Sequence, residues 1–541
     1  MRSRCIDAAG GRVNQASPKL GNAPTLRSPR NHRGPGWIFA GILLVLAPSA
    51  LLPAAPTPAP LFSDHAVLQR GKPAPVWGTA QPGEPITVRY GAAAASTLAD
   101  AEGHWRVVLP PLPPTQSSDL VIEGETTLLI RDVAVGDVWL LSGQSNMEWP
   151  LAKTVSADGK ARAAMRPWLR HLKMPHRVSS RPEAEFDARW TPCTPSTAPE
   201  FSAVGFEFVQ ALYRDDSIPV GLLNISYGGT VIEAWIGPEG LAHTRSGAAV
   251  RERWAEILRQ HPYADAAWRR DLAERQSQSE DSARVAGARA RPAPRPPVGP
   301  GHVTQISGLF HGMIAPVQPA ALAGVLWYQG ESNVGRPDEY ADLLTALITD
   351  WRSGFRTPAL PFLVVQLPNY RDRVHAWWQV RQAQDRVTAM LPGVHLAVAI
   401  DLGDSSDKHP RDKSELGRRL AVLARRHVFA EAVEAEPPRV LSAQREEQRV
   451  VLTFSASTSQ LQLRAAKRVG VSFELAGPDG HYQRADVRLD GPTVMVSSPA
   501  VRDPVSLRYL CHNDPEPRLY TGDGLPIAPF ALTVSAGGGT R

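Results

Sequence analysis

Cysteine is nearly missing from this chain: among 541 residues there are three, Cys5, Cys193 and Cys511, too few for a disulfide framework or a structural zinc site. Cys5 lies in a stretch expected to be removed. That leaves Cys193 and Cys511 as the one possible pair, and sequence separation alone does not decide whether they meet. No His-x-x-x-His or comparable ligand spacing occurs, so neither a metal nor a cofactor is expected. Long apolar runs are also scarce. The one candidate, residues 37–47, is short for a span of ~20 residues, and nothing later resembles it. Net positive charge is missing from the body of the chain: the formal net charge is +6, and the lysines and arginines from Arg2 to Arg33, less Asp7, account for all of it. A neutral body excludes nucleic acid as a partner.

The basic N-terminus leads into Trp37–Ala47, then small residues and a Pro/Ala-rich spacer. This order is that of a secretory signal, so a periplasmic or secreted protein without stable membrane association is expected. Cleaved signal and retained anchor both stay open, because the basic region is long.

From Leu61 to about Arg131, short alternating runs such as Ile86–Tyr90 and His104–Leu109 are separated by Pro/Gly turns, which predicts a β-sandwich over 59–131. From Gly136 the texture changes. Buried runs at 138–141, 220–225, 324–328, 362–366 and 396–400 alternate with helical segments, which predicts an α/β domain over 132–430 around a parallel sheet. Residues 242–300 break this rhythm, first helical and charged, then a low-complexity Arg/Ala/Pro loop at 285–300. Alternation returns after His427 and predicts a C-terminal β-domain over 431–541.

Functional residues of such a sheet lie past the C-terminal ends of its strands. The first strand runs into Gly143-Gln144-Ser145-Asn146-Met147, where a tight turn would present the Ser145 hydroxyl above the sheet as a nucleophile. The second exits through Tyr227-Gly228-Gly229-Thr230 and the third through Gln329-Gly330-Glu331-Ser332-Asn333. An oxyanion needs two or three fixed donors, and the backbone N–H groups of Ser145 and Gly228 with the Gln329 amide would supply them. Glu331, when ionised, only accepts hydrogen bonds, so it is assigned to a loop or a substrate hydroxyl, with Asn333 beside it. The last strand leads into Asp401–Pro410, which places His409 at the same edge as the base for Ser145. His375 and His395 read as surface or packing residues. Asp407, Asp404 or a backbone carbonyl would orient the imidazole.

Together with Glu233-Ala234-Trp235, and with Lys413 after His409-Pro410, these motifs resemble the sialate O-acetylesterase family from about Ala59 to Phe530. Acetylxylan and xyloglucan acetylesterases are similar too. The resemblance implies a three-layer SGNH-hydrolase (flavodoxin-like) domain and metal-free hydrolysis of acetylated sugars through an acetyl-serine. Two departures stand out. Ser406 occupies the position, three before the histidine, where many SGNH enzymes carry aspartate. His311 stands where the family more often has asparagine, and it is expected at the acyl pocket. Trp149, Trp235, Trp377 and Trp378 are candidate sugar platforms. Arg381 and Gln384 are candidate rim ligands for hydroxyls or a carboxylate. The rival readings are an esterase for lipid or aryl esters and a carbohydrate-binding protein without catalysis.

Overall fold

The computed structural model describes residues 55–213, 217–282, 294–455, 461–465, 471–491 and 493–536. The N-terminal leader, Cys5 and most of the low-complexity loop lie outside these residues.

One strand organises the rest. β1 (Thr127–Gly143) alternates exposed and buried positions in its first half and is buried at every position from Val133 onward. The first half pairs antiparallel with Thr115–Glu123, where one face meets solvent. The second half lies between parallel neighbours, where an almost unbroken apolar run is required. The boundary placed at 131/132 therefore falls inside a single strand, and the N-terminal β-region shares its hydrogen bonds with the central sheet.

With β2 (Arg166–Lys173), β3 (Thr191–Cys193), β4 (Val220–Ser226), β5 (Gly324–Tyr328), β6 (Phe362–Val365) and β7 (Val394–Ala397), the order across the sheet is β3-β2-β4-β1-β5-β6-β7. All are parallel except β3, which runs antiparallel to β2. The five predicted strands are present, the last beginning two residues early. β2 and β3 were not anticipated. β2 carries Arg170 and His171 inward, both buried. Arg170 is accommodated by an ion pair with Asp132 at 2.9 Å, and burial pushes the His171 imidazole down to about 3, so it packs as a neutral ring. Charged residues at core positions concealed a strand.

Helices α1 (Ala203–Leu212) and α4 (Ser414–His427) pack together, as do α2 (Pro337–Gly354) and α3 (Trp377–Met390). The inserted segment begins as a helix over Arg245–Ser282. At the C-terminus, seven strands close into a barrel, sealed by parallel pairing of Val440–Glu446 with Phe530–Ala536. Cys193 and Cys511 are separate, buried free thiols. Burial pushes each up to about 12, so neither is a reactive thiolate. Among the described residues no helix is long and apolar enough to cross a membrane.

β1 ends at Gly143, where φ is +130° and an added Cβ would lie 2.1 Å from the Tyr328 carbonyl oxygen. Neither the torsion nor the contact accommodates a side chain. Gly143→Ala should therefore cost about 3 kcal/mol or more, read as a lower urea-unfolding midpoint; an unchanged midpoint would show that β1 and β5 can separate at their ends.

Candidate functional site

Ser145 follows β1 at the point where the sheet ends, and its Oγ lies 2.9 Å from Nε2 of His409. The two residues come from loops 264 positions apart, so folding alone creates the pair. On the far side of the imidazole, Asp407 Oδ1 sits 3.5 Å from Nδ1 and accepts the His409 backbone N–H at 2.9 Å. Asp404 is occupied elsewhere, accepting from the backbone and hydroxyl of Ser406 and from the Asp407 backbone. Of the two carboxylates, Asp407 is the one at the ring. Trp149 stacks on His409, centroids 5.0 Å apart and planes 16° apart, so its indole backs the imidazole. Burial and the Lys408 cation push the His409 imidazole below its ordinary 6.5, against the opposing pull of Asp407.

A buried polar tier lies under this pair. The Asn146 amide donates to Glu331 Oε1 at 2.6 Å and to the Lys408 carbonyl at 3.0 Å, while its oxygen accepts from Lys413 Nζ at 2.7 Å. Burial pushes the Lys413 ammonium down to about 7 and the Glu331 carboxyl up. Glu331 thus anchors the catalytic turn from beneath.

Several expected ligands occupy other places. Gln329 is fully buried, its amide nitrogen donating to Gln144 Oε1, the Thr230 carbonyl and Asn333 Oδ1 at 3.2, 3.1 and 2.8 Å. An amide with two hydrogens already engaged three ways has none left for an oxyanion. Asn333 also accepts from the Ile232 backbone and donates to Glu233, so it ties the β5 exit to the β4 exit. Trp235 is fully buried against Trp327, with its N–H on Thr230, and Trp377 is equally a core residue; Trp378 remains half-buried. Arg381 is 0% exposed, its guanidinium donating to the carbonyls of Pro368, His512 and Asn513. It joins α3 to the C-terminal region and does not reach the rim. Gln384 is buried on the Gln329 and Val365 carbonyls. His311 lies in a single wide helical turn, Phe310–Ile314, buried, with Nδ1 unpartnered, and burial pushes its imidazole down.

The Gly228 N–H is donated to Glu148 Oε2 at 2.9 Å. The other oxygen of Glu148 meets His176 Nε2 at 2.8 Å, and the His176 ring stacks on Tyr227 at 3.7 Å. Burial opposes the Glu148 carboxylate, but hydrogen bonds from His176 and Gly228 hold it below its ordinary range. Glu148 belongs to the nucleophile motif and carried a usable signal. His176 did not, because it follows β2, a strand concealed by its own charges.

Arg381→Met would leave the His512 carbonyl without a donor and take one of two donors from the Pro368 and Asn513 carbonyls, which keep Trp377 Nε1 and the Tyr370 N–H. The expected outcome is a loss of about 3 kcal/mol in chemical denaturation, with Ser145 labelling by a fluorophosphonate unchanged in the folded protein. Undiminished stability would contradict the structural role.

Comparison with known proteins agrees with this geometry. The family described as carbohydrate esterase, sialic acid-specific acetylesterase matches residues 304–426. Sialate O-acetylesterase of Mus musculus is 28% identical over 73% of this chain and 78% of its own length; that of Homo sapiens is 28% identical over 66% and 68%. The crystal structure of a carbohydrate acetylesterase from Xanthomonas citri superposes with a TM-score of 0.73 at 33% identity, covering 88% of this chain and 99% of that one. With a serine–histidine pair at the sheet edge and a likeness that spans nearly the whole described fold, the chain belongs to the sialate O-acetylesterase family of carbohydrate acetylesterases.

Proposed function

We propose that Ser145 is the nucleophile, His409 its base and Asp407 the group that orients the imidazole, in a metal-free hydrolysis of O-acetyl esters on glycans. The observation that carries this reading is the 2.9 Å contact between Ser145 Oγ and His409 Nε2. His409 takes the serine proton as Oγ attacks the acetyl carbon, then returns it to the departing sugar hydroxyl, leaving acetyl-Ser145. Water, deprotonated by His409, releases acetate and restores the serine. The Ser145 and Gly229 backbone N–H groups have no hydrogen-bond partner among the described residues, so they are the donors we assign to the oxyanion. Gly228 joins them only if Glu148 releases its N–H, and Gln329 is withdrawn from this role.

We read the parallel sheet and its two helix pairs as a three-layer SGNH arrangement, with the N-terminal β-region continuous with it through β1 and the C-terminal barrel as a separate domain. The N-terminal basic and apolar segments support export to the periplasm or beyond. The substrate is an acetylated carbohydrate. A neutral glycan fits the site better than an anionic one: the Glu148 carboxylate lies close to Ser145, and Arg381, the cation expected to greet a sugar carboxylate, is buried elsewhere.

Acetate release from acetylated xylan, xyloglucan oligosaccharides and O-acetyl sialic acid tests both points. Ser145→Ala should lower it by at least about a thousandfold, and retained activity would remove Ser145 from the chemistry. Turnover confined to long acyl or aryl esters would favour the lipid-esterase alternative.

The pH profile gives a second test. A base whose pKa is depressed stays neutral to lower pH, so the acid limb of kcat/KM should have its midpoint below 6.5. Lys408→Gln removes a cation that disfavours the imidazolium, and the midpoint should move up. A shift downward, or none, would separate that limb from His409.

A further inference from the structure

Away from the esterase site, two histidines and a glutamate converge at the edge of the sheet. His395 lies on β7, His427 is the last residue of α4, and Glu436 lies on the segment that leads to the C-terminal barrel. Nδ1 of His395 is 3.1 Å from Glu436 Oε1, and Nε2 of His427 is 3.5 Å from Oε2. All three ligand atoms lie within 4.8 Å of one another. Ligands about 2.0–2.1 Å from a tetrahedral zinc ion are ~3.3 Å apart, and the two nitrogen–oxygen separations, one to each oxygen of Glu436, bracket that value. His427 Nε2 is buried, and its 3.5 Å approach to Glu436 is too poor to count as a hydrogen bond, so a polar atom taken from water points at the cluster without a good partner. The imidazoles stack face to face, centroids 3.5 Å apart and planes 13° apart.

From this arrangement we infer that His395, His427 and Glu436 form a divalent transition-metal site, suited to zinc, that fastens the segment before the barrel to the sheet. Two imidazoles and one carboxylate favour zinc over magnesium or calcium, which take oxygen ligands. A groove lined in part by His427, Glu436, Asp385 and Arg426 opens beside the cluster and leaves room for water as the fourth ligand. Binding one ion requires the stacked rings to tilt apart so that their lone pairs converge. The site lies at the far end of α4 from the catalytic loop, about 20 Å along a helix of 14 residues, so its role is structural and the ester chemistry does not pass through it.

The test is a zinc titration of the full chain by calorimetry, with cobalt absorption as a report on coordination. One equivalent should bind, with a visible spectrum of a four- or five-coordinate ion, and zinc should raise the melting temperature. His395→Gln and His427→Gln should each weaken binding at least ~100-fold and abolish the thermal shift, while far-UV circular dichroism shows both variants folded. Absence of saturable binding to the wild-type chain, or binding unaffected in both variants, would overturn the site. Acetate release unchanged by zinc is expected; loss of activity on zinc removal would contradict a purely structural role. Because binding and melting are read without substrate, failure here leaves the esterase reading untouched, and the converse holds.

Discussion

The buried side chain of Asn146 is the contact on which the catalytic arrangement depends. It is one residue from the nucleophile, and its three hydrogen bonds reach the β5 exit through Glu331 and the His409 loop through Lys408 and Lys413. A loop that begins only after the last strand is thereby held against a turn that follows the first. The low dielectric that makes these bonds strong also makes each partner expensive to leave alone. Lys413 and Glu331 are both disfavoured as ions by burial, and each lessens the other's penalty across the bridging amide. Removing any one partner leaves the others buried with a bond unmade, and that interdependence holds a 2.9 Å contact between residues so distant in sequence.

Much of the fold was legible because the parallel strands are apolar along their length and the glycine-rich exits interrupt them. The Ser145 turn was readable for the same reason: Gly143 meets the Tyr328 backbone so closely that no other residue fits, and the sequence must show it. His409 followed from the position of the last strand, whereas Asp407, Asp404 and a backbone carbonyl all stayed open as its partner, because a loop turn could bring any of them to the ring. β2 was hidden, because an arginine held by Asp132 and a neutral histidine occupy core positions where apolar residues signal a strand. With β2 went its exit, and with that exit went His176.

The misplaced ligands share a physical cause. Gln329, Asn333, Gln384 and Arg381 are polar residues at strand exits or on an adjoining helix, where sequence alone cannot tell a side chain facing the crevice from one bracing the loop behind it. The structure places all four in bracing positions. Each hydrogen-bonds to backbone groups or neighbouring side chains of the buried loops. A crevice built from irregular loops has many such groups, since its backbone is not satisfied by a ladder. Polar residues in the motifs are thus needed first to make the loops rigid, and only a few remain to touch a ligand.

Glu148 shows how little slack that leaves. Its carboxylate sits on the Gly228 N–H, beside the serine where an oxyanion would form. Two anions cannot share one donor at close range without strong repulsion, so Gly228 serves the transition state only when Glu148 withdraws. His176, already bound to the second oxygen of Glu148 and fixed by its stack on Tyr227, gives the carboxylate a place to stay when it lets go. A residue on the far side of that carboxylate therefore bears on how many backbone donors the oxyanion receives.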